Sequence, residues 1–169
     1  HAAVRPIERV TIWGRDTAKA RALAEQLHRP GLAVAAAEDL EAAVRQADLV
    51  SCATLSPEPL VQGAWLPAGA HLDLVGAFTP KMRESDDEAV RRARVYVDTL
   101  EGAPREGGDI AQPLAAGVLT RADLQGDLFG LCRGEAKGRG GPEEITLFKS
   151  VGHALEDFAA ARLVVERAG

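Results

Sequence analysis

A chain of 169 residues holds one domain's worth of sequence, and 46% hydrophobic with 27% charged residues excludes an intrinsically disordered protein. The formal net charge of −5, with both signs interspersed, gives no electrostatic footprint for nucleic acid or an anionic membrane. No apolar run approaches the ~18 residues of a membrane span, and two distant cysteines, Cys52 and Cys132, cannot make a disulfide framework; reduced, buried thiols in a cytoplasmic protein are the expectation.

The opening "HAAVRPIERV" reads as the end of a helix stopped by Pro6 and leading into a strand, so the chain is expected to be a segment of a longer polypeptide. "RVTIWG" (9–14) is β-branched and apolar, hence a strand. Asp16 or Thr17 can cap the helix that follows, in which Ala20, Leu23, Ala24 and Leu27 recur at helical spacing up to Pro30-Gly31. A short strand (32–37) and a short helix (38–47) come next. "DLVSCAT" (48–54) is nearly continuous in apolar residues, the pattern of a strand buried on both faces of a parallel sheet.

Residues 70–77 and 94–99 read as further strands, with a helix over 83–93 between them, acids in its first turn and arginines in its last. "EGAPREGGDIAQP" (101–113) reads as a Gly/Pro-rich loop. Residues 120–135 contain an amphipathic helix with Leu124, Leu128, Leu131 and Cys132 on one face, and 136–144 a flexible basic turn. A strand (145–150) and a long helix (151–168) close the chain. Strands separated by helices of roughly ten residues predict an α/β fold, a Rossmann-like, mostly parallel sheet.

No G-x-G-x-x-G and no P-loop occurs; Gly138-Arg139-Gly140-Gly141 fails the first pattern because residue 143 is Glu. Gly14-Arg15-Asp16-Thr17 ends a strand and opens a helix. An arginine there can accommodate the 2′-phosphate of NADP, or it is simply a solvated βα-turn cation. Small and hydroxyl residues after residue 52 would let a ligand approach the backbone, as would any Pro-stiffened loop. Glu84, Asp86 and Glu88, with Lys81 and Arg83, follow another strand end; a carboxylate there can handle protons, and a solvated helix cap is the alternative for each. Lys149-Ser150 marks a strand-to-helix junction, where Ser150 can also serve as a cap. His71 and His153 lack metal-ligand spacing, so no metal is expected.

Taken in order, "IWGR", "SCAT", "VGAFTPKMRESDDE", "VDT…GGDIAQPL…GVL" and "ITLFKSVGHALEDFAAARLV" resemble the ornithine cyclodeaminase/mu-crystallin family from about residue 7 to 168. The resemblance implies a Rossmann-like NAD(P)-binding domain over 1–135, lacking its first strand and glycine loop. Residues 136–169 would return towards a second domain that makes a homodimer. It implies an enzyme of small amino or cyclic imino acids, in first place a reductase of Δ1-pyrroline-2-carboxylate-type imines. Conversion of ornithine to proline and ammonia, or NADPH binding without turnover, are the alternatives. Carried over residue by residue, Gly14, Arg15 and Thr17 would meet the adenine ribose and favour NADP(H) over NAD(H). Ala53, Thr54, Val75 and Gly76 would line the nicotinamide end, Lys149 and Ser150 would close over it, and the catalytic acid would lie among Glu84, Asp86 and Glu88.

Overall fold

The computed structural model describes residues 1–168, which fall into two compact units, His1–Gln46 and Ala47 onward. In the first unit, strand β1 (Arg9–Ile12) leads through helix α1 (Thr17–Leu27) to β2 (Ala33–Ala36), which pairs parallel with β1, Arg9 opposite Ala33. Helix α2 (Leu40–Arg45) follows. The helical repeat of the sequence buries Ala20 and Ala24, while Leu23 and Leu27 stay exposed. Asp16 caps α1 by accepting the Lys19 amide at 3.1 Å, and Asp39 caps α2 through Ala42 at 3.0 Å. Each such cap contributes about 1 kcal/mol.

The second unit is a five-stranded sheet. Its strands are β3 (Leu49–Cys52), β4 (His71–Leu74), β5 (Ala93–Val97), β6 (Leu124–Asp127) and β7 (Ile145–Lys149), in spatial order β3-β4-β7-β5-β6. Every neighbouring pair is parallel, which confirms the expected α/β class. Leu72, Leu74, Val95, Val97 and Leu147 form its fully buried centre. The last strand in sequence is thus central in space, so residues 145–149 belong to the sheet built by residues 49–97 rather than to a separate C-terminal domain. β3, read from its apolar run as buried on both faces, is one of the two edge strands of this sheet; Ser51 is exposed and only Cys52 is buried.

The intervening elements depart from the sequence reading in three places. The helix expected over 83–93 is confined to α3 (Asp87–Arg92), because Asp86 caps it and the Glu84–Ser85 backbone instead bonds to Leu60 and Val61. The Gly/Pro-rich stretch 101–113 is not a loop: it folds as α4 (Ala103–Glu106) and α5 (Gly108–Ala115), which bury Ala103, Pro104, Gly108, Ile110 and Pro113. Residues 120–135 make the edge strand β6 and the short helix α6 (Leu128–Arg133), which Gly134 ends at φ 72°, a left-handed conformation suited to glycine. Cys132 is consequently exposed, against expectation. The 136–144 segment is anchored by the Arg139 guanidinium, which donates to the carbonyls of Gly69, Ala70 and Glu144 and to the Thr146 hydroxyl. The final helix, α7 (Ala154–Ala168), buries none of its side chains. No helix among the described residues is long and apolar enough to cross a membrane.

Candidate functional site

Three adjacent strands end side by side. Cys52 of β3 lies opposite Leu74 of β4, and Leu74 opposite Lys149 of β7. This register brings Ala53–Thr54, Val75–Gly76 and Lys149–Ser150 together at the carboxyl edge of the sheet, where open α/β sheets take ligands. Within the first unit, Gly14, Arg15 and Thr17 follow the carboxyl end of β1, with Arg15 exposed just before the N-cap of α1. Asp16, the acid that would repel a phosphate, is turned onto the helix as its cap. A Cβ on Gly14 would meet nothing nearer than 3.9 Å, so the backbone of this turn is open to an approaching group.

The carboxylate expected to move protons is instead the knot that ties two of these strand ends together. Glu84 is fully buried, and its Oε1 accepts the Thr54 amide at 2.6 Å and the Thr54 hydroxyl at 2.8 Å. Its Oε2 accepts the amides of Gly76 at 2.8 Å and Ala77 at 3.3 Å. Four donors saturate the group, leaving it no lone pair aimed at a substrate. The other two acids are also engaged. Asp86 accepts from Ala89 at 3.0 Å and Gly63 at 2.8 Å, and Glu88 pairs with Arg91 at 3.0 Å on the surface. Arg83 is spent on the Ser85 carbonyl and on Asp87. Sequence can place acids beyond a strand end, but which of them turns inwards depends on long-range contacts.

Lys149 carries a second correction. Its side chain is wholly buried and cannot close over a ligand. The ammonium lies 3.5 Å from Oδ2 of Asp109, itself wholly buried, and neither atom has a hydrogen-bond partner. Oδ1 of Asp109 accepts the amides of Glu84 at 2.8 Å and Ser85 at 3.0 Å. Burial pushes the Asp109 carboxyl up, against the pull of the Ser85 amide and Lys149. Cys52 adjoins the same group of charges: burial first, then Glu84 and Asp109, push its thiol up to about 12, which leaves it protonated and inert.

Ser150 remains at the edge, where its hydroxyl donates to Asp98 at 3.2 Å. Asp98, nearly buried at the end of β5, also accepts the amides of Thr99, Val151 and Gly152, and so fixes the turn after β7. That turn borders a cleft of about 560 Å³ whose walls include Thr99, Arg105, Glu106, Phe129 and His153. Phe129 and His153 meet edge to face with ring centres 5.8 Å apart. Sequence reading missed Asp98 and Asp109. Their signal was an acid set among small or apolar neighbours, in "YVDT" and "GGDIA", where a solvated acid has little reason to sit.

The family model described as "Ornithine cyclodeaminase/mu-crystallin family" matches residues 1–169. A Δ1-pyrroline-2-carboxylate reductase of Paracoccus denitrificans is 42% identical over 165 residues, covering 97% of this chain and 52% of the relative. The structure of the Thermococcus litoralis Δ1-pyrroline-2-carboxylate reductase in complex with NADH and L-proline superposes with a TM-score of 0.95 at 36% identity, over 99% of this chain and 52% of that one. An archaeal alanine dehydrogenase dimer with bound NAD gives 0.91 at 31% identity, over 99% and 51%. The chain therefore spans about half the length of the relatives it matches. With the whole chain matched by one family model and a relative at 42% identity, the protein belongs to the ornithine cyclodeaminase/mu-crystallin family.

Proposed function

We propose that the full-length protein is an NAD(P)H-dependent reductase of cyclic imino acids of the Δ1-pyrroline-2-carboxylate type. The observation that carries this reading is the convergence of Ala53–Thr54, Val75–Gly76 and Ser150 at the ends of three adjacent parallel strands, on a chain 42% identical to such a reductase. In the second unit, Val75 is half exposed next to a glycine whose missing Cβ lets two strand ends meet; in the first, the backbone at Gly14 is unobstructed. Reduced nicotinamide, when bound, supplies the hydride for the imine carbon. The chain's own residues bind and orient. Arg15 and Thr17 would receive the adenine ribose, and Val75 and Ser150 would flank the nicotinamide. The cleft beyond Ser150 offers Arg105 and Glu106, charges of both signs for a zwitterionic imino acid. Holding the two reactants against one another there would replace a chance encounter with an oriented one.

The deciding assay supplies Δ1-pyrroline-2-carboxylate and NADPH or NADH to the full-length protein and follows nicotinamide absorbance. Oxidation that depends on the imine is the expected result. Proline and ammonia from ornithine would replace this reading with cyclisation. Tight dinucleotide binding without turnover of any imino acid would replace it with a binding protein.

The preference for NADP(H) rests on Arg15, which is exposed while its acidic neighbour is occupied as a cap. Arg15→Ala is expected to weaken NADPH binding by roughly 1.5–3 kcal/mol, the value of a charge-assisted contact, and NADH binding far less. Titration of both cofactors into wild type and variant measures the difference. Equal losses for the two would remove Arg15 from the ribose site.

A further inference from the structure

We propose that Asp109 and Lys149 form a buried positioning pair that sets the loops after β3 and β4, and through them the nicotinamide end of the dinucleotide site; this last step rests on the function proposed above. The pair is a poor stabiliser. Both groups are fully withdrawn from solvent, their charged atoms stand 3.5 Å apart, and neither Lys149 Nζ nor Asp109 Oδ2 makes a hydrogen bond. Buried charges in such loose geometry commonly recover less than their desolvation costs, and an apolar pair of equal volume would hold the fold as well.

What the pair does supply is a fixed connection. The Lys149 stem is packed under the turn between α4 and α5, where a Cβ on Gly107 would come within 2.9 Å of the lysine Cε. Its ammonium faces one oxygen of Asp109. The other oxygen of Asp109 holds the Glu84 and Ser85 amides at 2.8 and 3.0 Å, with the Ser85 hydroxyl at 3.4 Å. Glu84, placed by its backbone, then grips Thr54 with one oxygen and Gly76 and Ala77 with the other. An unbroken path therefore runs from the central strand through Asp109 to the ends of β3 and β4, and every link in it is buried or half-buried. α5 is tied to the same loop independently, by the Gly108 amide on Thr79 and the Gln112 amide on Pro80. Wholly buried, Lys149 and Asp109 act through Glu84.

The test compares Asp109→Asn with the double variant Asp109→Asn/Lys149→Met in the full-length protein. Asparagine keeps one acceptor, but its NH₂ must face either Lys149 or the two amides, donor against donor. Removing the ammonium relieves that conflict. In D109N, hydrogen exchange at the Thr54, Gly76 and Ala77 amides is expected to speed up by about tenfold or more, while the Val95 and Leu147 amides in the sheet keep their protection. NADPH affinity should fall by about tenfold in D109N and return to within about threefold of wild type in D109N/K149M. A merely space-filling role would make the two substitutions add instead. Unchanged exchange at the three amides in D109N, or a double variant looser than D109N, would overturn the pair. If D109N does not fold, protected amides in the double variant support the proposal and unprotected ones overturn it. A wild-type protein that binds no dinucleotide would sink the reductase reading, while the exchange pattern still decides the positioning role.

Discussion

Replacing Glu84 with alanine is expected to destabilise the full-length protein by about 3–5 kcal/mol, the range for removing one partner from a buried, charge-bearing network. The alanine would strand the amides of Thr54, Gly76 and Ala77 and the Thr54 hydroxyl in a site that Glu84 now fills completely. Each buried donor left without an acceptor costs about 1–3 kcal/mol, reduced where a loop can relax towards water. Glu84→Gln should lose less, about 1–3 kcal/mol, since one oxygen still accepts two of the donors. Urea unfolding measures both. Glu88→Ala is the control, because its pair with Arg91 is half exposed and lies within one helix; its effect should stay within about 0.5 kcal/mol.

The same pair of variants separates a structural acid from a proton donor. If Glu84 transferred protons, glutamine would abolish turnover and leave the unfolding midpoint in place. If it fixes the strand ends, the midpoint falls and dinucleotide affinity falls with it. A Glu84→Gln protein with wild-type stability would refute the knot described here.

How far the sequence led is visible at particular residues. The alternation of β-branched runs with helices was legible because it is local, and Asp16, offered with Thr17 as a cap, accepts the Lys19 amide; Asp39 and Asp86 cap their helices inside the bounds the sequence suggested. The position of β7 was not legible. Its residues read as a strand, but insertion between β4 and β5 is decided by contacts with segments 75 and 52 residues away. Gly and Pro misled over 101–113. There Gly107 and Gly108 are small because the Lys149 stem and the Met82 carbonyl crowd them, and Pro104 sits in the first turn of α4, where no amide is needed. The acids divide the same way. Glu84, Asp86 and Glu88 are equivalent by composition and spacing, yet one is a buried knot, one a cap and one a surface partner. Only the fold distinguishes them.

Gly76→Ala is expected to cost about 3 kcal/mol, the upper end of ordinary overpacking. The added Cβ would land on the backbone N and O of Thr54 and on the Glu84 carboxylate, inside van der Waals distance of all three. None of these is the loose end of a flexible chain. Thr54 is held at the end of β3, and Glu84 is held by four donors and by Asp109 beneath it. The ends of β3 and β4 would have to part, taking Val75 and Thr54 out of register together. Gly138→Ala, where a Cβ meets nothing within 4 Å, should shift stability by no more than about 0.5 kcal/mol. Because Gly76 and Glu84 act on one junction, the G76A/E84Q double variant should lose less than the two losses added, by about 0.5–3 kcal/mol. Strict additivity would mean that the glycine and the carboxylate serve separate purposes. A G76A protein of wild-type stability would show that the two strand ends part freely, and a site built on their contact could not then hold its register.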